Sequence, residues 1–190
     1  YEIGGRHLPS VNTTPGALEL QRLLAQIVEQ GLSWCAMEVS SHALDQGRID
    51  GLQFDAAIWT CLGSDHMDYH KTRQHYAAAK RKLFDHVKPQ GYRIINADDE
   101  EGRALIQAFA QQPLVSYGVD HPAMVSARTF SSGWNGMELV LNTPWGAVPV
   151  HTPLVGRHNI LNIAAAASAC LALGVDPVAI RRALEVFGHV

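Results

Sequence analysis

Charge and aromatic residues are both scarce in this chain: of 190 residues, 17% are charged and 7% aromatic, against 47% hydrophobic. Such a balance excludes intrinsic disorder and leaves enough apolar side chain for a packed core. The length suits one ordinary domain, or one domain with a small appendage. Basic charge is equally thin. The formal net charge is −3 and no stretch masses Lys and Arg, which excludes a nucleic-acid partner held by phosphate neutralisation. Long hydrophobic runs are missing too. The longest, Ile163 to Leu173, is Ala-rich and well short of the roughly 20 residues that a membrane span needs, so it reads as a buried helix. No basic start leads into an apolar stretch, so nothing reads as a signal peptide. The three cysteines, Cys35, Cys61 and Cys170, are an odd number without close spacing. They are expected to be reduced, buried thiols of a cytoplasmic protein.

Several catalytic signatures are also absent. Neither G-x-x-x-x-G-K-[ST] nor G-x-G-x-x-G occurs, so the sequence as given has no glycine loop to cradle a phosphate. There is no G-x-S-x-G elbow, and the lone cysteines lack the setting of a nucleophile. The chain opens at Tyr1 and closes at Val190 straight after a helical segment; both ends are expected to be cuts in a longer protein.

What is present alternates between strand and helix patterns. Residues 1–16 are polar and glycine-rich, and Thr14 followed by Pro15 predicts a capped helix start. Leu18, Leu20, Leu23, Leu24, Ile27 and Val28 then recur at helical spacing up to Gly31. Trp34–Val39 and Phe54–Leu62 read as buried strands, and 72–86 as a long helix. Lys88-Pro89-Gln90-Gly91 reads as a turn, Tyr92–Asn96 as a strand, Asp98 as the start of a helix carrying Leu105, Ile106 and Phe109, and Leu114–Tyr117 as a further strand. This rhythm predicts an α/β fold, a mostly parallel sheet flanked by helices. Between Ala123 and Val150 the helical period disappears, which predicts a small antiparallel β insertion at the edge of the domain. Helices return over Asn159–Leu173, ended by Gly174, and Pro177–Phe187, capped by Asp176.

Four constellations could carry chemistry. Met37-Glu38-Val39-Ser40-Ser41-His42 follows a predicted strand, and in open α/β sheets ligands collect at the carboxyl ends of strands. A carboxylate followed by two hydroxyls suits magnesium and phosphate-bearing substrates, although Glu38 and Ser40 would equally well end a strand and cap a helix. Ser64-Asp65-His66-Met67-Asp68-Tyr69-His70 puts four metal- or proton-handling groups within six residues after the next strand. Lys80 falls in the apolar stripe of its helix, with Tyr76, Leu83, Phe84 and Val87. A lysine there either snorkels to water or is used, since desolvation lowers its pKa and exposes a nucleophilic amine. Finally, Asn159 and Asn162 in Gly156-Arg157-His158-Asn159-Ile160-Leu161-Asn162 share a helix face. Side-chain amides can read a base edge, while Asn159 could simply cap the helix.

In order and spacing, these segments resemble the central domain of Mur ligases. The matching pieces are Asn12-Thr13-Thr14-Pro15-Gly16, Cys35-Ala36-Met37-Glu38-Val39-Ser40-Ser41-His42, the 64–70 run, His75-Tyr76-Ala77-Ala78-Ala79-Lys80, Asn96-Ala97-Asp98-Asp99 and the 156–162 run. The Met-Glu-Val-Ser-Ser-His and Asp-His-Met-Asp-Tyr-His runs point to the tripeptide synthetases within that family.

The resemblance implies a peptidoglycan-precursor ligase. ATP phosphorylates the terminal carboxylate of UDP-N-acetylmuramoyl-L-alanyl-D-glutamate, and the amine of meso-diaminopimelate or L-lysine attacks the acyl phosphate. Magnesium screens the anions. By the same resemblance Glu38 and His66 would ligate magnesium, and Lys80 would be carried as a carbamate, a third ligand. Thr13, Thr14, Ser40 and Arg48, with Gln46 as a weaker candidate, would hold the UDP-muramoyl substrate; Asn159 and Asn162 would lie by the adenine of ATP. The enzyme is expected to be a cytoplasmic monomer. The chain is read as a partial central domain over residues 1–190, without the P-loop segment, the N-terminal UDP-binding domain and the C-terminal domain, and so as inactive by itself. Cys61-Leu62-Gly63-Ser64 also departs from the Asn-Leu-Ser-Arg usual in tripeptide synthetases. Three rivals remain at this point: another ligase of the superfamily such as folylpolyglutamate synthase, a metal-dependent hydrolase built on Asp65, His66, Asp68 and His70, and a non-catalytic nucleotide-sugar binding module.

Overall fold

A computed structural model describes residues 1–63 and 67–187, apart from the side chain of Phe130. The chain divides into two compact units, Tyr1–Gln53 with Ser64–His86 and Phe54–Gly63 with Val87–Val190.

The first unit is mainly helical. A two-stranded antiparallel ribbon, β1 (Glu2–Ile3) and β2 (Arg6–His7), precedes helix α1 (Ala17–Glu29). Leu20, Leu23, Leu24 and Ile27 form the inner face of α1, whereas Leu18 and Val28 are exposed. Two short helices, α2 (Ser41–Asp45) and α3 (Met67–His70), and α4 (Arg73–Arg81) complete the unit. The long helix expected over 72–86 is therefore α4 followed by a 3-10 turn over Lys82–His86, with Thr72 as N-cap accepting from the His75 N–H.

The strand expected over Trp34–Val39 does not form. No regular structure occupies those residues, and Trp34 is 64% exposed. An apolar run becomes a strand only when a neighbour completes its backbone hydrogen bonds, and among the described residues none pairs with it. Cys35 is exposed for the same reason. Cys61 is exposed too, so the expectation of buried thiols fails for both; all three cysteines are free.

The second unit is the α/β body. Its six-stranded sheet runs in chain order, β3 (Phe54–Trp59), β4 (Val87–Asn96), β5 (Leu114–Gly118), β6 (Val125–Gly133), β7 (Gly136–Thr143) and β8 (Gly146–Thr152). The β3–β4, β4–β5 and β5–β6 pairs are parallel, the last two antiparallel. The expected insertion thus continues the main sheet, through the pairs Tyr117↔Val125 and Gly118↔Ser126. The expected turn at Lys88–Gly91 is instead part of β4. The register jumps from Phe54↔Val87 to Ala56↔Tyr92, so the extra residues form a bulge that a turn-like composition accommodates.

Helices α5 (Glu100–Ala108), α6 (Arg157–Ala172) and α7 (Pro177–Val186) belong to this unit. On α6, Ile160, Ile163, Ala164, Ala167 and Leu171 recur at helical spacing and pack into one core with Ile94, Val115 and Tyr117. Met137, Leu139 and Leu141 on β7 and Val148 and Val150 on β8 alternate inward at the two-residue period of a half-buried sheet and join the same core.

Gly102 on α5 approaches the carbonyl oxygen of Asn96 so closely that an added Cβ would sit 2.0 Å from it. Alanine normally favours a helix interior over glycine by about 1 kcal/mol. Here the clash reverses the sign, and Gly102→Ala is expected to destabilise the fold by about 1–3 kcal/mol in urea titration. An unchanged or raised midpoint would contradict this helix–strand contact.

Candidate functional site

Five of the sequence-predicted residues meet in the first unit. Thr14 does not cap α1, whose N-cap is Gly16 with no side-chain hydrogen bond. Its hydroxyl, in a residue only 1% exposed, donates to the Glu38 carbonyl and accepts from the Ser40 N–H, each at 3.0 Å. The side chain that the Thr-Pro pair offered to the helix is used across 24 residues of sequence instead. Ser40 in turn caps α2, its Oγ accepting from the Ala43 N–H at 3.2 Å. Arg48 Nη1 donates to the Thr14 carbonyl at 2.9 Å, and its Nε and Nη2 both donate to Gln46 Oε1, at 2.9 and 2.6 Å. Gln46, the weaker candidate, is thus the group that orients Arg48. Held by Gln46 on one edge and by the Thr14 carbonyl through Nη1, the guanidinium is fixed, and its remaining N–H groups suit a carboxylate or phosphate.

Glu38 is exposed while its backbone is pinned by Thr14, so the carboxylate projects from a fixed main chain. Thr13 is exposed beside Thr14. Lys80 is half-buried on α4, its Nζ 5.5 Å from the centre of the Tyr76 ring, so it is neither deep in a core nor extended into water. His66, with Asp65 and Ser64, lies outside the described residues. Among the described residues no three of His, Cys, Asp or Glu cluster as a metal centre.

In the second unit Gly156 is the N-cap of α6. Asn159 Nδ2 donates to the Val155 carbonyl at 2.8 Å, and Asn162 is exposed about one turn further on. Both amides sit in the first two turns of the helix, where the backbone dipole is positive. Arg157 beside them pairs with Asp120, 2.5 Å away, and with Asp98, 3.4 Å away.

A family model described as Mur ligase middle domain matches residues 1–170. The chain belongs to the Mur ligase family. Among curated relatives, the UDP-N-acetylmuramoyl-L-alanyl-D-glutamate–2,6-diaminopimelate ligase of Geobacter metallireducens is 41% identical over 191 residues, covering 97% of this chain and 37% of the relative. The ligase of the same name from Trichormus variabilis is 42% identical over 182 residues, covering 95% and 37%. A solved structure of a UDP-N-acetylmuramoyl-L-alanyl-D-glutamate–2,6-diaminopimelate ligase is similar with a TM-score of 0.84 at 30% identity, over 94% of this chain and 37% of that one. A MurF structure from Acinetobacter baumannii follows at 0.66 and 28%, over 73% and 30%. The chain spans little more than a third of the length of the curated relatives it matches.

Within the Mur ligase motif Asn96-Ala97-Asp98-Asp99 the sequence assigns a task only to Asp98, the start of a helix, whereas the structure assigns one to Asn96, Asp98 and Asp99. Asn96 Nδ2 donates to the Thr60 carbonyl at 2.7 Å, and Asp99 accepts from Trp59 Nε1, the Leu62 N–H and the Gly102 N–H at 2.9, 3.1 and 2.9 Å. These bonds fix the exit of β3. The helix cap is consequently Asp99 rather than the expected Asp98. Asp98 instead accepts from the backbone N–H groups of Val119, Asp120 and His121. Adjacent carboxylates made the two tasks indistinguishable from sequence. Tyr117, whose hydroxyl donates to the Trp59 carbonyl at 3.1 Å, has its phenol pushed up by burial, so it stays a donor throughout the neutral range.

Two expectations follow. Thr14→Val removes the hydroxyl at constant shape and orphans a carbonyl and an N–H, so it should cost about 1–3 kcal/mol, whereas Thr14→Ser should lose far less; chemical denaturation of both reads the difference. Burial acts to raise the Asp98 pKa, but the three backbone donors and His121 outweigh it and hold the carboxyl below its usual range. A depressed carboxylate contributes stability above its unfolded pKa, about 3.9, and loses it as pH falls through the folded value. Asp98→Asn should therefore be less stable than the parent at neutral pH, with the gap closing below about pH 4. A gap that is constant with pH would show that the charge of Asp98 is immaterial.

Proposed function

We propose that this chain is the middle portion of an ATP-dependent ligase that joins a diamino acid to UDP-N-acetylmuramoyl-L-alanyl-D-glutamate in peptidoglycan-precursor synthesis. The observation that carries the reading is likeness over nearly the whole chain, at 41% and 42% identity, to relatives named for that acid and for 2,6-diaminopimelate. The same names favour diaminopimelate over lysine as the amine donor. The site is of a kind the chemistry needs. Amide formation from a carboxylate demands activation by phosphoryl transfer, which brings two anionic substrates together and must be screened by fixed positive charge and donors.

Within the first unit, the Arg48 guanidinium and the Ser40 turn are the groups to hold the anionic UDP-muramoyl substrate, with Thr14 keeping the turn in place and Thr13 beside it. An exposed carboxylate on a pinned backbone fits a hard cation, so Glu38, with His66 and a carbamate of Lys80, would hold magnesium. Bound there, magnesium would neutralise phosphate charge. Asn159 and Asn162 offer donor and acceptor to the adenine of ATP, and the helix start near them favours negative charge. The enzyme is read as a cytoplasmic monomer; among the described residues no helix is long and apolar enough to cross a membrane. The hydrolase reading on Asp65, His66, Asp68 and His70 is weaker, because His70 is buried against Ser41. The folylpolyglutamate synthase and binding-module readings are weaker, because the relatives at 41% and 42% identity are named as ligases of the muramoyl dipeptide.

The test is phosphate release by the whole protein with ATP, magnesium and UDP-N-acetylmuramoyl-L-alanyl-D-glutamate, adding diaminopimelate or lysine in turn. Release that requires the dipeptide substrate and diaminopimelate is expected, and the 190-residue chain alone is expected to show negligible turnover. No release with either amine by a well-folded whole protein would sink the assignment.

A further inference from the structure

One buried titratable side chain has no part in the mechanism above. His70 is 6% exposed, and its Nε2 lies 2.9 Å from the Oγ of Ser41, itself 4% exposed. Its ring stacks on Tyr76 at 5.1 Å between centroids and 24° between planes, and the Tyr76 ring carries the Lys80 ammonium. One imidazole therefore touches both the residue that follows Ser40 and the aromatic seat of Lys80. Buried polar groups are matched to partners because an unmatched one costs free energy, so this placement is specified.

The backbone around His70 is arranged to present it. α3 is only four residues long and is followed by Lys71, the only non-glycine residue with positive φ (64°) among the described residues. Such a conformation costs about 1 kcal/mol or more and persists only where surrounding bonds impose it. Here the Lys71 N–H donates to the Met67 carbonyl and the Thr72 N–H to the His70 carbonyl, at 3.0 and 2.7 Å, so the chain reverses directly into the N-cap of α4. The neighbouring ring is anchored as well. Tyr69 donates to Asp45 Oδ2 at 3.0 Å and packs on His42 at 4.2 Å, while the Lys82 ammonium and that same tyrosine hold the Asp45 carboxyl below its usual range.

We infer that His70 is a positioning residue that ties the Ser40–Ser41 turn to the Lys80 seat, so that the substrate-side hydroxyls and the lysine keep a fixed relation. The tie itself rests on geometry alone; its catalytic consequence rests on the ligase reading. Two variants separate its arms. His70→Phe keeps the ring on Tyr76 and loses the bond to Ser41. His70→Gln keeps an amide near the Nε2 position and loses the ring. In this chain, amide exchange of Ser40 and Ala43 should rise about fivefold in the Phe variant, the scale of one lost hydrogen bond, with acylation of the Lys80 amine by an N-hydroxysuccinimide ester unchanged. The Gln variant should show the reverse, faster Lys80 acylation with the turn protected; Ser41→Ala should copy the Phe variant and serves if that one misfolds.

Parallel changes in both readouts for both variants, tracking only their melting temperatures, would reduce His70 to a core residue and overturn the inference. So would no change in either. In the whole ligase the KM for the UDP-muramoyl dipeptide should follow the turn and kcat should follow Lys80. A whole protein that ignores this substrate would sink the functional reading and leave the two positional readouts to decide the tie.

Discussion

The first unit is organised by one buried hydroxyl. Thr14 joins a segment that has no regular secondary structure to one that is about to become a helix, by accepting from Ser40 and donating to the Glu38 carbonyl. Among the described residues no strand pairs with the 31–40 stretch, so this hydroxyl supplies long-range bonds that a sheet would otherwise give. Ser40 then caps α2, and Arg48 reaches back to the Thr14 carbonyl. A single side chain thus closes a small ring of hydrogen bonds in which two hydroxyls, a guanidinium and the main chain of Glu38 take fixed places. Bonds of this kind are individually modest and costly to leave unmade.

The α/β body shows the same economy at the exit of its first strand. Asn96 and Asp99 act through backbone carbonyls and N–H groups of residues 60 and 62, and through the Trp59 indole, rather than through charge pairs. Polar side chains that satisfy main-chain groups are how irregular backbone survives beside a core. Where charge is paired, as in Arg157 with Asp98 and Asp120, the cation is half-exposed, and such pairs contribute little stability by themselves.

Much of this was legible in the residues. The alternation of strand and helix periods placed β3 and β5, and the Gly174 and Asp176 signals bounded α6 and α7, because these features depend on local pattern. The failures share a cause. Trp34–Val39 is apolar enough for a strand, yet strand formation is decided by a neighbour. Lys88–Gly91 has turn composition, yet β3 supplies a partner that turns it into a bulge. Thr14 has the chemistry of a helix cap, yet a more distant acceptor claims it. For the site, Glu38, Ser40, Gln46, Arg48 and Thr14 were named from sequence and meet in space, but nothing in the sequence says that Gln46 serves Arg48. His70 reads in the sequence as a metal ligand candidate, since burial and the Ser41 contact have no signature in a linear run of acidic and imidazole side chains.

The Thr14–Ser40–Arg48 ring is proposed as a preformed seat for the anionic UDP-muramoyl substrate. Titration of UDP-N-acetylmuramoyl-L-alanyl-D-glutamate into the 15N-labelled chain, followed by amide and guanidinium resonances, tests it most directly. Saturable shifts concentrated at Thr13, Thr14, Ser40 and the Arg48 side chain are predicted. Shifts centred elsewhere, or none at these residues while the fold is intact, would contradict it.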